Sequence, residues 1–92
     1  MTMERAQVHY SGRVQGVGFR YTCRSLSKGF SVTGYVRNLE DGRVEMMVEG
    51  ELKEIEAFLQ EIGKSHLKPF IREQKVEWQA AEGTWTDFHI EH

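Results

Sequence analysis

Apolar residues along this chain follow two different periods. Residues 7–14 alternate, with Val8, Tyr10, Gly12 and Val14 on one parity and Gln7, His9, Ser11 and Arg13 on the other, as in a half-buried strand. After the glycine-rich Gln15-Gly16-Val17-Gly18, a helix-compatible run extends from Phe19 to about Gly29. Residues 32–38 alternate again, with Val32, Gly34, Val36 and Asn38 on one side. Asp41-Gly42 is the pair of a tight hairpin turn, and Val44, Met46 and Val48 make the returning strand. From Glu51 the period lengthens: Leu52, Ile55, Phe58, Leu59 and Ile62 form one stripe of an amphipathic helix. Glu51 suits its first turn, and Gly63 with Lys64 its end. Beyond Pro69, Val76, Trp78 and Ala80 alternate with polar neighbours, and after Glu82-Gly83 the stretch Trp85 to Ile90 reads as a last short strand.

The order β-α-β-β-α-β, followed by a terminal hairpin arm, predicts an α+β ferredoxin-like two-layer sandwich. Right-handed crossovers place both helices on one face of an antiparallel sheet, to which the short C-terminal strand is added. In this arrangement the first and second strands run in the same direction with the third between them. Their C-terminal ends then share one sheet edge, about 9–10 Å apart. The glycine-rich segment leaves one of those ends, and Asn38 stands at the other.

Composition narrows the function. Ninety-two residues suit a single domain over 1–92, large enough to bury about 60–65% of the unfolded surface without metal or disulfide help. A lone cysteine, Cys23, allows no intrachain disulfide and fits a reducing compartment. No apolar run reaches the roughly 18 residues of a membrane helix, and the polar start MTMERAQVHY is unlike a signal peptide. The expectation is a cytoplasmic protein with no membrane partner. A net charge of −2 argues against a nucleic-acid partner. His9, His66, His89 and His92 lack metal-ligand spacing, and one cysteine makes no zinc set, so neither a metal nor another cofactor is expected.

The loop Gly12-Arg13-Val14-Gln15-Gly16-Val17-Gly18-Phe19-Arg20 matches neither G-x-x-x-x-G-K-[ST] nor G-x-G-x-x-G. Glycines at 16 and 18 nevertheless permit positive φ, so that successive N–H groups can point inward as an anion nest at a helix start. Arg20 sits in the first helical turn, where a cation is unfavourable unless an anion is bound beside it. Two readings are open here: a phosphate site, or a plain strand-to-helix turn with a solvated arginine. Asn38 likewise reads either as a local cap at a strand end or, by its parity with Val32 and Val36, as an amide turned towards the loop.

Three segments resemble the acylphosphatase family: Gly12 to Arg20 (G-R-V-Q-G-V-G-F-R), Gly34 to Glu45 (G-Y-V-R-N-L-E-D-G-R-V-E), and Phe88-His89-Ile90. The resemblance covers essentially the whole chain and implies hydrolysis of an acyl phosphate to carboxylate and inorganic phosphate, the latter both product and inhibitor. It implies Arg20 as the phosphate-binding arginine, Asn38 as the water-orienting residue, and the backbone of Gln15, Gly16, Val17, Gly18, Phe19 and Arg20 as the phosphate cradle. Ser27 departs from the family pattern where a small apolar residue is common, and Ser31 where a helix-ending glycine is common. A stand-alone monomeric enzyme is expected.

The alternatives are a catalytically idle phosphate-binding or interaction module, and an RNA-binding domain. The latter is disfavoured because Arg43 to Glu49 offers no aromatic for base stacking. Of the remaining residues, Cys23 reads as a small buried hydrophobe or a redox-sensitive neighbour of the site. Met46 and Met47 should face opposite sides of their strand. Trp78 and Trp85 are expected to pack in the terminal hairpin, and the acidic run Glu49 to Glu56 to be the wet face of the second helix.

Overall fold

A computed structural model describes residues 2–92. Its elements are β1 (Met3–Gly12), α1 (Phe19–Ser27), β2 (Val32–Asn38), β3 (Val44–Glu51), α2 (Leu52–Lys64), a short 3-10 turn (Lys68–Phe70), β4 (Ile71–Ala80) and β5 (Phe88–Ile90). The strands form one sheet in the order β4-β1-β3-β2-β5, so β3 lies between β1 and β2 as the split βαβ order requires. Registers align Val76, Val8, Met46, Val36 and Ile90 in one apolar row across all five strands. That row lies under the helices. Tyr10, Val8, Met46 and Val36 are fully buried with Cys23 of α1 and Ile55, Phe58 and Ile62 of α2. Leu52, by contrast, is 45% exposed, because the first turn of α2 overhangs the sheet and its burial begins at Ile55.

The two departures in and after α1 are absorbed locally. Ser27 is buried, and its hydroxyl donates to the Arg24 carbonyl at 2.6 Å, so the polar atom is satisfied within the helix. The backbone N–H of Ser31 donates to Glu54 Oε1 at 2.7 Å, which ties the helix exit to α2 without a glycine.

The C-terminal strand is a correction. It forms no hairpin arm with β4; β5 pairs in parallel with β2 at the opposite edge, making the sheet mixed. The reason is visible on the helix-free face, which residues 81–87 cross. Glu49 accepts the N–H groups of Glu82 and Gly83 at 2.8 and 3.1 Å, and Arg5 donates to Thr84 Oγ1 at 3.1 Å. Trp85 lies 4.5 Å from the Arg5 guanidinium and edge-on to Tyr35 at 5.6 Å. Asp87 then accepts the Gly34 N–H at 2.8 Å, and Phe88 meets Phe58 edge-on at 5.4 Å.

These contacts revise two further expectations. Trp78 is 45% exposed on β4, and Trp85 is held on the polar face, so the tryptophans share no hairpin. Glu49 belongs to β3 and is buried, not part of the wet face of α2. Met46 is buried and Met47 half-buried on the other side, as their parities require.

Two carboxylates organise the polar face. Glu45 accepts from Gln7 at 3.0 Å, Tyr35 at 2.9 Å and Arg37 at 2.7 Å, and Glu49 accepts from Arg5 at 2.7 Å. Burial opposes ionisation of both, yet these donors outweigh it and hold both carboxyls below their usual range. Burial, aided by the hydrogen bond to Glu45, pushes the Tyr35 phenol up to about 12. A depressed carboxylate pKa gives stability that is present above the unfolded value of about 4.3 and is lost as pH falls through the folded value. The urea midpoint should therefore stay level from pH 7 to 5 and decline below about 4.3, with a shallower decline in Glu49→Gln, measured by circular dichroism.

One polar atom in the core is not matched. The Tyr10 hydroxyl is buried without a hydrogen-bond partner among the described residues, beside Phe19 at a ring separation of 4.8 Å. Removing an unsatisfied buried hydroxyl recovers its desolvation cost. Tyr10→Phe should raise unfolding stability by about 1 kcal/mol in urea titrations.

Candidate active site

The loop between β1 and α1 is anchored where it starts, the Arg13 N–H donating to the Phe70 carbonyl at 2.9 Å. Gly16 and Gly18 then take φ of +79° and +77°, and a Cβ at either would meet nothing within 4 Å. Their role is thus conformational: side-chain residues rarely adopt this backbone. Phe19 closes the turn by burying its ring against Tyr10. Thr22 N–H donates to the Gly18 carbonyl at 3.0 Å and begins α1, with Gly18 as an N-cap that offers no side-chain acceptor.

The consequence is a run of exposed donors. Among the described residues, no backbone or side-chain acceptor takes the N–H groups of Gln15 to Arg20. The first turn of α1 contains no acidic residue, so the positive end of the helix is not neutralised from within. Arg20 adds a guanidinium, and among the described residues no carboxylate oxygen lies within 4.0 Å of it. The paired cations are elsewhere: Arg5 with Glu49, Arg37 with Glu45, and Arg43 with Asp41.

Asn38 ends β2 opposite Val44 and has no side-chain hydrogen bond to another described residue. It lies two places beyond the buried Val36, on the helix side of the sheet. Gly16, Gly18, Phe19, Arg20 and Asn38 line one cavity of about 120 Å³. That is well above the roughly 10–15 Å³ of such volume that one water needs, and leaves room for a small tetrahedral anion with a solvent molecule beside it. Gln15 and Val17 do not line it. The Gln15 amide donates to the Leu39 and Arg43 carbonyls at 2.8 and 3.0 Å, and Val17 packs against the core.

The cavity also takes in Val14, Tyr21, Ile90 and His92, none of which was expected at the site. Phe88-His89-Ile90 carried the signal for Ile90; nothing in the sequence signals His92, which reaches the rim only because β5 lies beside β2. Cys23 lies beneath the site, fully buried, and burial pushes its thiol pKa well up, away from the reactive thiolate. It is a small core hydrophobe. His9 sits by Glu45 at 3.5 Å, His66 by the Thr22 hydroxyl at 3.0 Å, and His89 by Asp87 at 3.0 Å. No three His, Cys, Asp or Glu side chains among the described residues gather as a metal site.

Comparison with known proteins agrees with this architecture. The family model described as Acylphosphatase matches residues 6–90. An acylphosphatase of Roseiflexus sp. (strain RS-1) is 41% identical over 92 residues, covering 98% of this chain and 97% of its own. The crystal structure of an acylphosphatase from Bacillus subtilis superposes with a TM-score of 0.88 at 27% identity, covering 97% of this chain and 99% of that one. An acylphosphatase structure from Coxiella burnetii gives 0.86 at 28% identity, covering 98% and 94%. A family model over residues 6–90 and a relative 41% identical almost from end to end, on a fold shared with solved acylphosphatases, place this chain in the acylphosphatase family.

Proposed function

We propose that the cavity holds the phosphoryl group of an acyl phosphate, with the N–H groups of Gly16, Gly18, Phe19 and Arg20 and the Arg20 guanidinium on its oxygens and Asn38 on the attacking water. The chain is a hydrolase of the acylphosphatase family, which cleaves the carboxyl–phosphate bond. The observation that carries the assignment is the coincidence, around one cavity, of unpaired donors, an uncompensated cation and an unpartnered carboxamide.

The chemistry needs little more. The leaving group is a carboxylate, stable at neutral pH, so no general acid is required. Charge in the loose transition state is spread over the phosphoryl oxygens, where fixed N–H dipoles and a bidentate guanidinium stabilise it. The Asn38 carboxamide accepts a hydrogen bond from the water without deprotonating it and so holds the oxygen in line with the scissile bond. A phosphoryl oxygen takes the water's proton. Inorganic phosphate leaves as product and competes for the same donors as an inhibitor. No cofactor enters the scheme.

The site is complete within one chain, which supports a monomer acting as a single unit over 1–92. A buried, unpaired thiol supports a reducing, cytoplasmic setting. No helix is long and apolar enough to cross a membrane.

Turnover of benzoyl phosphate, followed by absorbance, tests the assignment. The rate should be unchanged by a chelator. Asn38→Ala should lower kcat by about 10²–10³ while the inhibition constant of inorganic phosphate moves less than about threefold. Arg20→Ala should damage both. Parental kinetics in both variants would remove the assignment. Among the described residues, His92 is the imidazole that lines the cavity. If the phosphoryl oxygen takes the proton, His92→Ala keeps kcat within about twofold, and a loss beyond about tenfold transfers that role to His92.

A further inference from the structure

The two halves of the site hang from strands that do not touch. The donor loop follows β1, Asn38 ends β2, and β3 separates them. No ladder hydrogen bond can therefore fix the loop relative to Asn38. What spans the gap is the Gln15 side chain. Its NH2 group donates to the carbonyls of both Leu39 and Arg43, at 2.8 and 3.0 Å. Leu39 follows Asn38 directly, and those two carbonyls belong to the pair that closes the β2–β3 hairpin. The Leu39 N–H donates to the Arg43 carbonyl at 2.8 Å, and the Gly42 N–H to the Leu39 carbonyl at 3.2 Å. Gln15 uses the second acceptor site of each oxygen. Asp41 stiffens the same turn by accepting from the Arg43 N–H at 3.1 Å and its Nε at 2.9 Å.

We infer that the Gln15 side chain is a positioning residue, a clamp that sets the distance between the phosphoryl-binding loop and the Asn38 carboxamide. This rests on the roles proposed above for the loop and Asn38. Two donors on two carbonyls define an orientation as well as a distance, which a single hydrogen bond would not. An aspartate or glutamate here could not donate, and an apolar residue would leave loop and hairpin linked only through the rest of the fold. The clamp matters most when the water must be in line with the phosphoryl group, because small misplacements of aligned groups cost rate more than ground-state binding.

The test is a double-mutant cycle on benzoyl phosphate hydrolysis. Gln15→Met keeps the length and loses both donors; Gln15→Glu keeps the shape and turns an acceptor on the two carbonyls. Each should lower kcat about tenfold while moving the inhibition constant of inorganic phosphate less than about threefold. In an Asn38→Ala background the same changes should cost less than about twofold, since the group they position is gone. An equal loss in both backgrounds, or unchanged kcat in the folded single variants, overturns the clamp. Parental kinetics in Asn38→Ala alone overturns instead the assignment on which it rests. A measurement on the unaltered protein covers the case in which a variant does not fold. The side-chain NH2 protons of Gln15 should exchange with solvent at least about threefold more slowly than those of Gln60 and Gln74, whose side chains make no hydrogen bond to a described residue. Equal exchange in all three overturns the clamp.

Discussion

The loop from Gln15 to Arg20 presents six backbone N–H groups for which the described residues supply no acceptor. Everything around the site follows from that deficit. Gly16 and Gly18 take the positive φ of the turn, Phe19 pins it to the core, and α1 adds its positive end. Arg20 reinforces a potential that helix geometry alone would counsel against. Such a concentration of positive character is unfavourable for the free protein and becomes favourable when a multiply charged oxyanion occupies it.

The opposite face of the sheet shows the contrast. There the arginines are matched: Glu49 takes Arg5 and two backbone N–H groups, and Glu45 takes Arg37, Tyr35 and Gln7. These donors and acceptors close on one another. That network has a mechanical role, since it holds residues 81–87 against the sheet and delivers β5 to the free edge of β2. The same delivery brings Ile90 and His92 to the rim of the cavity on the other side. A stabilising network on one face thus finishes the site on the other.

The chain order β-α-β-β-α-β was legible from period alone, because residues 7–14 and 32–38 alternate while Ile55, Phe58, Leu59 and Ile62 recur at helical spacing. Those periods report burial directly, and burial is what the fold conserved in Val8, Val36, Met46 and Phe58. Boundaries were less legible: β1 begins at Met3, where the adjacent Arg5 and Ala6 are both buried and break the alternation, and β4 begins at Ile71, in a stretch whose exposed side chains leave none to read. An edge strand is held by ladder bonds on one side, and its sequence need not advertise it.

What the sequence determined by itself was therefore local: the strand and helix periods, the glycines of the loop, and the parity that turns Asn38 towards the helices. Topology followed from these, since a split βαβ order leaves β1 and β2 parallel with β3 between them. Only the tertiary structure decided which edge receives the last strand and which arginines meet a carboxylate. Those outcomes depend on carboxylates meeting partners far along the chain, as Glu49 meets Arg5 and Glu82. Such pairings have no period, because hydrogen bonds between remote side chains are set by distance in space and not by spacing in sequence.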